Sequence, residues 1–389
     1  MDARDGTGPV SRPVPLSVLD LAPVPRGGTA AEALRHTIEL ARLAEATGYH
    51  RYWVAEHHLV SGVASSSTPV LVALVAAATE RIRVGSGAVQ LPNTPPLLVA
   101  EQFGTVAQLH PGRIDVGLGR FDLAHLLARR SGGARPDPPP ARVVDGLLVP
   151  TPPRLPPGDL TALEALAAHL GVTPGEPSPD YGEQVDTIAD LFAGRTVAPG
   201  GRPLVAHPAD GADVQLWVLG SSAGESARVA GTRGLPFAVS YHIAPSAVLD
   251  AVEAYRAAFR PSAQRPEPYV LVSADVVVAP TDERARELAA PYGQWVLGIR
   301  TGIGAQPYVT PAEARARAWT ADERAAVQDR IDTQVVGSPS TVVERLATLA
   351  RVTGADELLV TTITTDHADR VRSTELLAKA WAGRSTAAA

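Results

Sequence analysis

The chain of 389 residues has no cysteine. That absence excludes a disulfide scaffold, a thiolate nucleophile, a zinc ribbon and a cysteine-held iron–sulfur cluster together. Lysine is almost missing as well: Lys379 is the only one, and the other basic residues are arginines. Schiff-base chemistry and a P-loop lysine are thereby removed from most of the chain. Long apolar runs are also lacking. The longest, Pro69 to Ala78, is about half of the roughly 20 residues that a membrane span requires. The polar, proline-rich start from Met1 to Pro15 has no apolar secretion core. A net charge of −6 argues against nucleic acid as a partner. These absences predict a soluble, cytoplasmic protein with neither a membrane nor a nucleic-acid partner.

What is present is a long alternation. Apolar runs with β character are expected as strands at 16–21, 52–55, 82–86, 114–118, 214–219, 237–240, 270–278 and 357–362. Between them lie helical spacings at 30–47, 69–79, 97–109, 222–230, 246–259 and 341–352, with a last one at 369–381. Eight βα units in order predict an α/β fold, a (β/α)8 TIM barrel. A chain of this length buries a large core and needs no covalent staple, and 1–389 reads as a single barrel domain. It is interrupted by an insertion of about 121–180 after strand four, whose Pro-, Gly- and Arg-rich part at 130–157 is expected as a long loop. A shorter polar insertion falls at 198–211. An irregular stretch with a charged helix at 290–330 precedes the last unit, and the tail 383–389 is expected to fray.

Chemistry-bearing residues gather where such strands end, the mouth of a barrel. Glu56-His57-His58 follows the second strand. Adjacent side chains on an extended segment point to opposite sides, which is poor metal-ligand spacing, and no metal site is expected. The same geometry can place one imidazole in the mouth as a base or hydrogen-bond donor; a structural histidine bonded to a loop carbonyl is the plainer alternative. Gly85-Ser86-Gly87-Ala88 ends the third strand, where glycine can admit a flat ligand or simply a tight turn. Gly117-Leu118-Gly119-Arg120 ends the fourth. Neither GxG carries the third glycine of a dinucleotide fingerprint, because Gln90 and Asp122 occupy those places. Arg120 can pair with an anion or with a carboxylate at the rim. Gly220-Ser221-Ser222-Ala223-Gly224-Glu225-Ser226 runs from the fifth strand into a helix, and suits either a phosphate on free N–H groups, with Ser226 one turn inside, or plain serine capping.

Taken together, these segments resemble the bacterial luciferase-like flavin-dependent monooxygenases. The resemblance rests on Trp53-Val-Ala-Glu-His-His58, on Ala78 to Gly87, on Leu91-Pro92, Ala100 to Phe103 and His110 to Arg120. It continues with Leu219 to Ser222, Gly234 to Phe237, Val336 to Pro339, Gly354 to Leu358 and the segment around 370–378. It implies a (β/α)8 fold and a monooxygenase using reduced FMN, supplied by a separate flavin reductase, with O2. The substrate would be a small organic compound, secondary metabolites included. His57 would be the catalytic histidine and His58 its active-site neighbour. Gly87 and Ala88 would flank a non-prolyl cis peptide beneath the flavin ring. Arg120, Ser222, Ala223 and Ser226 would contact the cofactor phosphate, with Ser221 added by adjacency. A homodimer through the early helices is common among such proteins. The chain departs from the pattern after Arg120, where Phe121-Asp-Leu-Ala-His125 and then the proline-rich insertion replace a small glycine-containing loop. That departure leaves two alternatives in play, a deazaflavin coenzyme with hydride transfer and a flavin-binding barrel without turnover.

Overall fold

The computed structural model describes residues 13–128, 137–155, 158–262 and 264–386. Eight parallel strands close into a barrel: β1 (Leu16–Asp20), β2 (Arg51–Val54), β3 (Arg83–Ser86), β4 (Ile114–Gly119), β5 (Val214–Gly220), β6 (Phe237–Ser240), β7 (Val270–Val278) and β8 (Glu357–Thr361). Each pairs with the next, and β8 returns to β1 through Leu16–Leu358, Ser17–Leu359 and Val18–Val360. The outer ring is α1 (Ala30–Ala46), α2 (Thr68–Ala78), α3 (Pro96–Leu109), α4 (Tyr181–Phe192), α5 (Glu225–Thr232), α6 (Val248–Ala258), α7 (Pro339–Thr353) and α8 (His367–Thr386). The first helix shows why these boundaries fall where they do. Thr29 and Glu32 form a reciprocal capping box, satisfying two of the amide donors that a helix start leaves open.

The expected strands and barrel are present. The insertions differ from expectation. After β4 the chain forms a short helix (Leu123–Ala128), a hairpin (Arg142–Val144 with Leu147–Val149) and a further helix (Thr161–Leu170), in place of one long loop. The hairpin turns at Asp145 (φ 46°) and Gly146 (φ 89°), a left-handed pair that Asp-Gly favours. It is held by Tyr241 Oη donating to the Leu148 carbonyl at 2.8 Å and by Arg351 donating to the Asp145 carbonyl at 2.7 Å. Before the last unit, four helices (Tyr292–Arg300, Pro311–Ala316, Ala321–Ala325, Gln328–Thr333) replace the single charged helix. The tail stays helical through Thr386, with Arg384 over the Trp381 ring and bonded to the Val343 carbonyl. Residues 1–12, 129–136, 156–157, 263 and 387–389 lie outside the described residues, and with them part of the stretch expected as a long loop and the end of the tail.

Side-chain alternation fills the barrel in tiers. The floor is polar. Asp115 is buried and accepts from Arg51 Nη1 (2.8 Å), Trp53 Nε1 (2.9 Å), Arg83 Nε (2.8 Å) and Arg83 Nη2 (2.6 Å). Glu357 accepts from Arg51 Nε at 3.0 Å and from Tyr269 Oη at 2.9 Å, and also from Ser17. Two residues further along each strand stands an apolar tier of Leu19, Trp53, Trp217, Leu271 and Leu359, with the two indoles packed edge to face at 5.0 Å. Gly85 and Gly117 belong to the same tier. A Cβ on Gly85 would meet the Asp115 carbonyl oxygen at 2.4 Å, and one on Gly117 the Ser86 carbonyl oxygen at 2.0 Å. Strand proximity, and not room for a ligand, therefore demands glycine there.

Candidate active site

One step above the apolar tier the alternation delivers Leu21, Ala55, Gly87, Gly119, Leu219, Ser240, Ser273 and Thr361 toward the mouth, and a further step brings His57. They line a cavity of about 330 Å³ together with Arg120, Ser221, His242, Asp275 and Arg330. Its walls are mainly aliphatic with a few convergent polar groups, the usual make-up of a small-molecule site.

Parity separates the two adjacent histidines. His57 faces the cavity, its backbone N–H bound to the Ser65 carbonyl at 2.8 Å. His58 points elsewhere and is held at 3.0 Å by Glu56, which in turn accepts weakly from Thr68. The His57 Nδ1 is buried without a hydrogen-bond partner. An orphan acceptor is cheaper than an orphan N–H, so the neutral ring keeps its proton on Nε2, the nitrogen left for the cavity. Burial, with a smaller contribution from His58, lowers the His57 pKa to about 4. The ring is therefore a neutral donor at pH 7, not a cation.

The Gly87–Ala88 peptide is cis, and both residues line the cavity. A Cβ on Gly87 would run into Leu19 Cδ1 at 2.8 Å and the Trp53 ring at 3.2 Å, while one on Gly119 would meet Ala88 Cβ at 2.9 Å. The wall at this point is bare backbone. Past it, Val89 and Gln90 pair again with β4, and Gln90 Nε2 reaches back to the Glu56 carbonyl at 3.0 Å.

Arg120 and the start of α5 meet across the rim. Arg120 Nε lies 2.9 Å from Glu225, the first residue of α5, and its Nη2 lies 3.5 Å from Asp122. The helix begins later than the sequence pattern suggests, at Glu225 and not Ser222. Gly224 is the N-cap, and no side chain caps the helix. Ser222 and Ala223 thus belong to the exposed turn before α5, and Ser226 is its second residue, not one turn inside. Serine capping is ruled out, and the first-turn N–H groups are left uncapped beside a guanidinium. Such an end favours anions. Of the serine-rich segment, Gly220 and Ser221 line the cavity itself.

Sequence reasoning missed the far wall. His242 follows β6 as His57 follows β2, so the same rule of position would have found it. Its Nδ1 lies 2.5 Å from Ser273 Oγ, and burial brings its pKa to about 4 against the opposing pull of Asp275. Asp275 projects from β7 into a buried cluster. It accepts from Tyr292 Oη and, at 3.1 Å, from Arg330 Nη2, while Arg330 Nε donates to Tyr292 Oη at 2.9 Å. Away from the mouth, His36 and Glu39 of α1 and His367 of α8 bring three donor atoms within 4.8 Å of one another. The two imidazoles lie face to face, 3.8 Å apart and 5° from parallel, so their lone pairs run side by side and do not converge on one ion.

Among the described residues no helix is long and apolar enough to cross a membrane. Residues 14–149 and 164–357 match the family model described as luciferase-like monooxygenase. The chain is 40% identical over 372 residues to the uncharacterized protein YvbT of Bacillus subtilis (strain 168), covering 95% of this chain and 97% of the relative. It is 36% identical over 363 residues to a luciferase-like monooxygenase of Escherichia coli (strain K12), covering 93% and 96%. The crystal structure of apo-MsnO8 superposes with a TM-score of 0.74 at 32% identity, over 95% of this chain and 98% of that one. With its barrel, its mouth and these relatives in agreement, the chain belongs to the luciferase-like monooxygenase family.

Proposed function

We propose that the protein is a monooxygenase that takes up reduced FMN from a separate flavin reductase and uses O2 to oxidise a small organic substrate. One observation carries this reading: a single cavity is lined by His57, the bare Gly87–Ala88 backbone, Arg120 and Ser221 together. The residues present fit a phosphorylated flavin. Arg120 and the uncapped N–H groups of α5 would neutralise the phosphate without lysine or metal, with Ser221, Ser222, Ala223 and Ser226 around them. Gly87 and Ala88 offer a flat wall to a planar ring. Bound there, the reduced flavin supplies the electron pair that activates dioxygen.

The chain's own residues perform the remaining tasks. His57 holds a proton on Nε2 toward the cavity and can donate or return it, the neutral ring being competent for both. His58, turned away and tied to Glu56, acts as a positioning residue for that loop. Leu19, Leu21, Leu219, Leu271 and Leu359 exclude water from the inner end. Trp295, Ile299 and Ile243 border the remaining space, which suits a substrate with an apolar body, secondary metabolites included.

Exposed Val70 and Leu74 on α2, with Leu97 and Leu98 on the neighbouring α3, suit burial in a homodimer. Light scattering on the purified chain tests that part. Anaerobic titration tests the main reading. Reduced FMN should bind at micromolar concentration or tighter, and Arg120→Gln should weaken it by about tenfold, the loss of a charge-assisted pair. On admission of air His57→Gln should slow turnover while leaving binding intact. Tighter binding of a reduced deazaflavin would move the protein to hydride transfer. Binding of FMN with no turnover of any substrate, in wild type and His57→Gln alike, would make it a flavin carrier.

A further inference from the structure

A second cavity, of about 450 Å³, is lined by Tyr292, Trp319 and Ile331 on one side and by arginines on another. We propose that it is a binding site for a small organic monoanion, a carboxylate carried on an aromatic or apolar body.

The argument begins with charge. Three guanidinium groups line the cavity, those of Arg286, Arg324 and Arg345. Arg286 already has a partner, Glu283 at 2.9 Å. Arg324 and Arg345 have no carboxylate within ion-pair distance among the described residues. Arg345 is partly buried between α7 and the helix Gln328–Thr333, where it donates to the Asp332 main-chain oxygen at 3.2 Å. Burial lowers its pKa, with only a smaller upward pull from Tyr241 against it. A desolvated cation with no counter-charge is costly, and proteins ordinarily pair it. The Asp332 carboxylate also borders the cavity, where it accepts from Gln328 Nε2 at 2.7 Å. Two unpaired guanidinium groups against one carboxylate leave a single net positive charge, which matches a monoanion better than a dianion such as phosphate.

The walls specify the rest of the ligand. Trp319, Tyr292 and Ile331 face this space, and Arg317 stands over the Trp319 ring at 4.9 Å, adding to the rigidity of that wall. A volume of this size accommodates a body larger than an inorganic ion. Planar guanidinium groups prefer the two oxygens of a carboxylate, and flat apolar walls prefer a ring or chain behind it. The site is separate from the mouth, because the two cavities share no lining residue.

Calorimetric titration of the full chain tests the proposal, with benzoate, benzamide and inorganic phosphate as probes. Benzoate should bind at one site, at least tenfold more weakly in both Arg345→Gln and Arg324→Gln, and benzamide should not bind. Arg324 is exposed, so R324Q keeps the test usable if R345Q fails to fold. Thermal unfolding supplies a second reading: benzoate should raise the midpoint of the wild type by more than that of R324Q. Equal binding of benzoate and benzamide, benzoate binding unchanged in R324Q, or preference for phosphate would each overturn the proposal.

Discussion

Asp115→Asn is the sharpest probe of the barrel floor. In the native protein the floor charges balance, Arg51 and Arg83 against Asp115 and Glu357, and both carboxylates and Arg51 are buried. Asparagine keeps the volume but leaves one uncompensated positive charge. It also points an amide NH2 at donors, since Asp115 accepts four N–H bonds in the native floor. Breaking a buried pair from one side costs about 3–5 kcal/mol. At ~2.1 cal/mol/K per residue, the unfolding entropy of a chain this long is about 0.8 kcal/mol/K, so the midpoint should fall by about 5 °C. Arg83, which reaches toward the surface, can be removed as well. The pair Asp115→Asn with Arg83→Met restores neutrality, and its cost should fall short of the two single costs by about 1–3 kcal/mol. Circular dichroism melts, with urea unfolding as a check on ΔG, measure both. A shift below 1 °C for Asp115→Asn, or strict additivity in the pair, would refute the reasoning.

Three further outcomes are expected. His57 and His242 are held neutral with pKa values of about 4, so between pH 6.5 and 4 the unfolded chain binds more protons than the folded one. Stability should therefore be full above pH 6.5 and fall on acidification, by about 1–2 kcal/mol per histidine at pH 5. Replacing both with glutamine should make the fall in melting temperature between pH 7 and 5 shallower, with His367, likewise lowered to about 4 by burial, keeping its own share; an equally steep profile would contradict the assignment. Gly117→Ala drives a methyl into the Ser86 carbonyl, whereas Gly87→Ala meets the movable end of Leu19 first. The former should abolish soluble folding and the latter should cost about 1–3 kcal/mol; the reverse order in expression and melting tests would undo the packing argument. Glu225→Gln removes the nearer of the two carboxylates on Arg120, leaving Asp122, and binding of FMN should tighten about threefold to tenfold while riboflavin, without the phosphate, is unaffected. Equal gains for both ligands in a fluorescence titration would separate Glu225 from phosphate recognition.

The barrel was legible because its signals are local and repeat. Strands such as Val270–Val278 are rich in valine, and the alternation that turns His57 inward and His58 away carries on from the strand that ends at Val54. The hairpin at 142–149 also announced itself, through Val143-Val144, Asp145-Gly146 and Leu147-Leu148, yet the surrounding prolines hid it as loop. The start of α5 was misread because serines are the usual caps, whereas here Gly224 stands at the N-cap. The Asp275–Arg330 pair had no local signature at all. Its two members are 55 residues apart, one within an apolar strand and one on a charged helix, and tertiary folding alone makes them neighbours.

The indole tier between floor and mouth has a consequence of its own. Trp53 and Trp217 direct their N–H groups down to Asp115 and Gln215 and show hydrocarbon upward. They work as an insulating septum. Charges below it are answered below it, so the field that a ligand meets is set by residues on the other side. The base can then be conserved for rigidity while the loops above drift in chemistry, and damage to one compartment should be silent in the other. A barrel divided in this way can acquire new substrates without renegotiating its foundations.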